Sequence, residues 1–141
     1  METFHSRTNT FSRNLTAYFN DKLNSFGLAT SYVELMILLK KKGDYSQKAL
    51  AKDLSLAPST ITRFVNKLEK RDYVKKARKG REVFVKLTDN GLKIASEMEK
   101  AYQSAADELN EIFGDKFVTT VGKLLEFGNE ALEELEENKS G

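Results

Sequence analysis

A chain of 141 residues with 40% hydrophobic content is long enough for one domain with a self-sufficient core, and the absence of cysteine excludes disulfide frameworks, thiolate nucleophiles, thiol redox sensing and Cys-based zinc sites. The net charge of +2 conceals a basic middle, +10 from Lys40 to Arg81, and an acidic stretch, −8 from Thr88 to Gly141. Such polarity suits a polyanion that docks on one part of the surface only. The opening METFHSRTNTF is polar and lacks the apolar core of a secretory signal. No run approaches the ~18 apolar residues of a membrane span, so a cytoplasmic protein with no membrane partner is expected.

At the N-terminal end, Phe11, Leu15, Tyr18 and Leu23 fall on one helical stripe. Ser31 and Glu34 form the S-x-x-E pattern of a capping box ahead of Leu35, Met36, Leu38 and Leu39, with Thr30 as the rival cap, and Lys42-Gly43 ends that helix. Ser46 caps the next, with Tyr45 and Leu50 placed as a hydrophobic staple and a stop near Leu54.

Pro58, the only proline, suits the first turn of a helix running to about Arg71. Ile61, Phe64, Val65 and Leu68 recur at i, i+3, i+4, i+7 and define its core side. Ser59, Thr62, Arg63, Asn66 and Lys70 fall opposite, flanked by Thr60 and Lys67. Short hydroxyls followed by Arg and Asn can contact base edges without lifting a helix out of a DNA groove. As the second helix of a tight pair, this segment reads as the recognition helix of a helix-turn-helix.

A hairpin follows. Val83, Val85 and Leu87 alternate with Glu82, Phe84 and Lys86, the period of a half-buried strand. Tyr73 to Ala77 is its partner, and Arg78-Lys79-Gly80-Arg81 is the predicted tip, with Gly80 free to take a positive φ. A basic tip can serve to block edge-to-edge aggregation. Beside a polar recognition helix, the favoured reading is contact with phosphate or the minor groove.

Thr88 caps a long helix carrying Leu92, Ala95, Met98, Tyr102, Ala105, Leu109, Ile112 and Phe113, with Leu87 and Leu92 as staple. Gly114-Asp115 breaks it. A last helix carries Phe117, Val121, Leu124, Leu125, Leu132 and Leu135. These stripes can close into a bundle within one chain. Pairing with a second chain is the better solution, because a twofold dimer also supplies two recognition helices.

The order of elements, with Leu54-Ser55-x-x-x-x-Thr60-Ile61-Thr62-Arg63 and Arg81-x-x-x-Val85-x-Leu87-Thr88, resembles the MarR family of winged-helix transcriptional regulators from about Phe11 to Leu135. The resemblance implies a mainly α fold with a small β-hairpin wing, as one domain over 1–141. Residues of about 30–88 would form the winged helix-turn-helix lobe, and about 1–29 and 89–141 the dimerisation helices. It places Arg81, seven residues before Thr88, where the family inserts an arginine into the minor groove. Lys79 stands where the family has an acidic residue, so the usual carboxylate partner of that arginine is missing. The resemblance also implies a small aromatic or phenolic effector between the dimerisation helices and the lobe. Phe19, Phe26, Tyr32, Met36 and Tyr102 are positioned for such a cavity, although residues of this type at this spacing read first as core.

The function expected is a homodimeric regulator, a repressor by preference, reading a pseudo-palindromic operator in double-stranded DNA. Helix 58–71 would lie in the major groove and tip 78–81 on backbone or minor groove. The contacting residues would be Ser59, Thr60, Thr62, Arg63, Asn66, Lys67, Arg78, Lys79 and Arg81. The alternative is a winged-helix module for protein–protein contact, which would require apolar residues on the outer face of 58–71. No catalytic set, metal site or cofactor is expected: His5 is the only histidine, placed in a frayed terminus, and the Glu residues of 126–137 read as a solvated helix face.

Overall fold

The computed structural model describes residues 2–140. Its elements run α1 (Phe4–Lys22), α2 (Thr30–Lys42), β1 (Tyr45–Ser46), α3 (Gln47–Leu54), α4 (Pro58–Lys70), β2 (Val74–Lys79), β3 (Glu82–Leu87), α5 (Asp89–Phe113) and α6 (Asp115–Ser140). The fold is thus mainly helical with one small antiparallel sheet. The chain divides into two compact units, one ending at Gln103 and one beginning at Ser104, with α5 running from the first into the second.

In the first unit the core gathers Leu23, Val33, Leu35, Met36, Leu39, Leu50, Ile61, Val65, Leu68, Val74, Val85, Ala95 and Met98, all essentially inaccessible to solvent. Every element of the helix-turn-helix and the wing contributes to it. Leu23 closes the N-terminal stripe as expected, while Phe11, Leu15 and Tyr18 are half-buried. His5 sits in the first turn of α1 with Thr3 as its cap, so that terminus is helical rather than frayed.

The start of α2 differs from the capping-box expectation. The helix begins at Thr30, Ala29 occupies the cap position, and neither Ser31 nor Thr30 caps it. Asn20, from the last turn of α1, supplies the acceptor instead: its Oδ1 receives Thr30 N at 2.8 Å and Thr30 Oγ1 at 2.6 Å. A tertiary contact has replaced the local one. Glu34 is turned to other use, accepting from the Tyr102 hydroxyl at 3.1 Å. Burial, then the neighbouring Glu34 charge and this hydrogen bond, push the Tyr102 phenol up to about 12.

Ser46 caps α3, its Oγ accepting from Ala49 N at 3.1 Å. It also ends β1, a strand of two residues absent from the sequence reading. Tyr45 pairs with Val85 and Ser46 with Phe84, giving a sheet ordered β1-β3-β2. The hairpin tip is tighter than expected. Arg78 and Lys79 are strand residues paired with Val83 and Glu82, which leaves Gly80-Arg81 as a two-residue turn. Gly80 has φ +66° and Arg81 is not in the left-handed region, the signature of a type II′ hairpin turn.

One junction ties the end of α4 to the start of α5. Asp72 adopts φ +62° after the helix, and Tyr73 N donates to Leu68 O. The Tyr73 carbonyl accepts from Thr88 N at 3.0 Å, and Thr88 Oγ1 donates to Asp72 O at 2.6 Å while accepting from Gly91 N at 2.9 Å. Thr88 is therefore the cap expected, although Leu92 stays about half exposed. Gly91 is packed so closely that a Cβ on it would stand 1.9 Å from Tyr73 O. Backbone cannot yield as a side chain can, so Gly91→Ala should lower stability by about 3 kcal/mol, read as a lower urea midpoint at unchanged slope. A midpoint equal to that of the unmodified protein would show that α5 is not seated against Tyr73.

In the second unit Gly114, at φ +86°, separates α5 from α6 as expected. Phe113 and Phe117 meet across this break with ring centroids 4.8 Å apart. Further along α6, Leu124, Leu125, Phe127, Leu132 and Leu135 are between half and three-quarters exposed.

Candidate nucleic-acid interface

Helix α4 is pinned from below and presented above. Pro58 takes the first position, where its missing N–H costs nothing, and Ala57 at the cap position offers no side-chain hydrogen bond. Ile61, Phe64, Val65 and Leu68 are buried, and the Tyr32 ring stacks on Phe64 at 3.8 Å. At the other end Arg71 follows the last turn. Its guanidinium donates to Phe26 O and Gly27 O, each at 3.2 Å, so the loop before α2 holds the C-terminus of α4.

The outward face is polar throughout. A shallow depression of about 470 Å³ is lined by Ser59, Thr62, Arg63, Asn66, Lys67 and Lys70. A second, of about 300 Å³, lies between the N-termini of α3 and α4 and the wing, lined by Gln47, Lys48, Ala51, Pro58, Thr62, Arg81, Glu82 and Val83. Thr62 borders both. The outward face of α4 and Arg81 are therefore parts of one surface.

The expected contact residues do not all stand alike. Ser59, Thr62, Arg63, Asn66 and Lys67 are exposed on the helix face, whereas Thr60 is half-buried and outside both depressions. Thr62 Oγ1 donates to Pro58 O at 3.1 Å and to Gln47 Oε1 at 3.4 Å. Lys67 folds its ammonium over the Tyr32 ring, 5.1 Å from the centroid. Asn66 Oδ1 accepts from Lys76 Nζ at 2.8 Å. Arg78 and Arg81 make no hydrogen bond or ion pair among the described residues and are exposed.

Lys79 supplies what the sequence could not show about the wing. Its Nζ lies 2.6 Å from Asp44 Oδ2 and 4.8 Å from the Phe84 ring centroid. A carboxylate is present after all, offered from the loop between α2 and β1 and directed at the lysine rather than at Arg81. The wing is thus tethered next to its tip, and Arg81 projects from the turn just beyond. Lys70, expected on the outward face of α4 but not among the contact residues, lines the first depression. Gln47, Lys48, Lys76 and Asp44 join the surface without any signal in the sequence, and become visible only once the sheet brings α3, the loop at Asp44 and β2 beside α4.

Residues 30–82 match the family model described as the MarR family. Solved structures extend the likeness to nearly the whole fold. NadR in complex with 4-hydroxyphenylacetate aligns with a TM-score of 0.79 at 22% identity, covering 94% of this chain and 99% of that one. Reduced AbfR bound to DNA aligns with a TM-score of 0.75 at 22% identity, covering 92% and 89%. A riboflavin kinase of Pyrococcus furiosus is 32% identical over 85 residues, which are 56% of this chain but only 39% of the kinase. This chain therefore spans well under half of that relative, and the likeness transfers no catalytic activity.

The aromatic residues positioned for an effector cavity are packed together. Phe19 stacks on Tyr102 at 4.9 Å, Met36 is fully buried, and Phe26 packs against the same core.

Proposed function

We propose that this chain is a homodimeric, sequence-specific DNA-binding regulator, with α4 in the major groove and the wing tip on the flanking backbone or minor groove. The observation that carries the reading is the single polar surface on which the face of α4 and Arg81 meet at Thr62. A face built for a protein partner would offer apolar anchors, and here every exposed residue from Ser59 to Lys70 is polar or charged. The AbfR complex supports the choice of DNA as partner, since its fold is shared and it is bound to DNA. A repressor role and a pseudo-palindromic operator belong to the same proposal.

The dimer rests on α6. Leu124, Leu125, Phe127, Leu132 and Leu135 fall on one side of the helix at about 100° per residue and are exposed in the single chain. A second copy would bury them and set two recognition helices on successive turns of one groove. The NadR complex supports a small phenolic effector. The Phe19–Tyr102 stack beside Glu34 is its proposed place, and because the chain has no cysteine such a signal would not depend on thiol oxidation.

Arg63→Ala should weaken binding to the cognate operator by about 1–3 kcal/mol and to random DNA much less. Equal losses on both, in competition titrations, would reassign Arg63 to the backbone. For the wing, replacing Arg78 and Arg81 by Ala should flatten the log-affinity against log-salt slope by about 0.9 for each phosphate left unneutralised. Lys79→Ala should change that slope less, because Asp44 already compensates its charge. If Arg81 enters the minor groove, its removal should also erase a preference for A·T-rich flanks, and an unchanged preference would make it a phosphate clamp. Leu124→Lys with Phe127→Lys should give a folded monomer in sedimentation analysis, with operator affinity abolished. A double variant that stays dimeric would move the interface away from α6.

A further inference from the structure

Asn66 lies one turn beyond Thr62 and Arg63 on the outward face of α4, and its carboxamide is oriented from outside the helix. Lys76, on the wing strand β2, places Nζ 2.8 Å from Asn66 Oδ1 and 3.4 Å from Glu69 Oε1. An ammonium group carries donors only. The amide atom facing it must therefore be the oxygen, which turns the NH2 group away from Lys76. Glu69 lies one turn further along α4 and fixes the lysine from its other side. The Lys76 side chain is only 33% exposed, so it is folded into this arrangement rather than extended into solvent.

We propose that the Glu69–Lys76–Asn66 chain holds Asn66 as a hydrogen-bond donor, so that it selects guanine over adenine in the major groove. The inference rests on the DNA-binding function proposed for this surface. An asparagine that reads adenine uses both ends of its amide, the oxygen accepting from N6–H₂ while the nitrogen donates to N7. Here the oxygen is already engaged by a cation. An adenine amino group brought to the same oxygen would meet the Lys76 ammonium donor that already occupies it. Guanine presents O6 and N7, both acceptors, to the NH2 that remains. Thymine O4 is a single acceptor next to the amino group of its paired adenine and is the poorer match.

Lys76 is in this account a positioning residue: the wing enters base reading without touching a base. A direct role as a phosphate anchor is the weaker reading, because Glu69 already neutralises its charge and Asn66 takes up one of its donors.

The test is operator selection from a randomised duplex library by the full chain and by Asn66→Ala, Lys76→Met and Glu69→Gln. The base pair whose preference disappears in Asn66→Ala is the one Asn66 reads. In the unmodified protein it should be guanine over adenine by about fivefold or more, the range of one good base contact. Lys76→Met should bring guanine and adenine within about twofold at that position and leave the other positions unchanged. Glu69→Gln, which leaves Asn66 and Lys76 in place and removes only the carboxylate charge paired with the ammonium, should shift the preference the same way and guards against misfolding of a single variant. Adenine at that position in the unmodified protein overturns the proposal. So does an unaltered profile in Lys76→Met, or a uniform loss of affinity with a salt slope flattened by about 0.9, which would make Lys76 a backbone anchor. Enrichment of no sequence by the unmodified protein would remove the DNA-binding reading itself, and this inference with it.

Discussion

The carbonyl of Tyr73 is the point on which the geometry of the site depends. It receives Thr88 N, and it stands so close to Gly91 that no side chain fits between them. The Thr88 hydroxyl closes the same junction by joining Asp72 O to Gly91 N. The end of α4, both wing strands and the first turn of α5 are therefore locked at one place. The DNA-reading role proposed for this surface would need this rigidity, because contacts to base edges discriminate only when their donors and acceptors are held in position before DNA arrives. Arg71 does for the other flank what Tyr73 does here, since its planar fork grips two successive carbonyls of the loop before α2.

Much of this was legible in the sequence because it depends on local chemistry. The period of Ile61, Phe64, Val65 and Leu68 fixed which side of α4 is buried, and the buried side is the one found. Ser46, Pro58, Thr88 and Gly114 mark boundaries that depend on a single residue's hydrogen bonding or φ preference, and the elements begin and end at them. The MarR resemblance added the order and roles of elements that periodicity alone leaves open.

What was not legible depends on partners distant in sequence. The cap of α2 comes from Asn20, ten residues earlier, which no local pattern announces. β1 is two residues long, and its second residue already has a visible role as a helix cap. Lys79 looked like a missing carboxylate because the one it uses, Asp44, lies 35 residues away. The hairpin tip was drawn too wide for a related reason: four polar residues in a row resemble a loop, and only the pairing of Lys79 with Glu82 shows that the strands continue to Gly80.

The charges of the site divide by what they have to do. Lys76 and Lys79 are internal struts, one holding an amide and one tying the wing to Asp44. Lysine suits this role, since a compact ammonium on a flexible stem can be bent to a partner wherever the fold provides one. Arg63, Arg78 and Arg81 face outward without an ion pair among the described residues. Arginine suits that role, because its fixed fork matches phosphate and guanine edges and is less strongly hydrated than an ammonium. Charges already paired on the protein give little affinity, because their fields are compensated, but in the proposed function they would set the angles at which free charges meet DNA. The excess of +10 between Lys40 and Arg81 thus overstates the field available to a partner and understates the order within it. Binding strength would follow the arginines, and the choice of sequence would follow the side chains that the lysines hold in place.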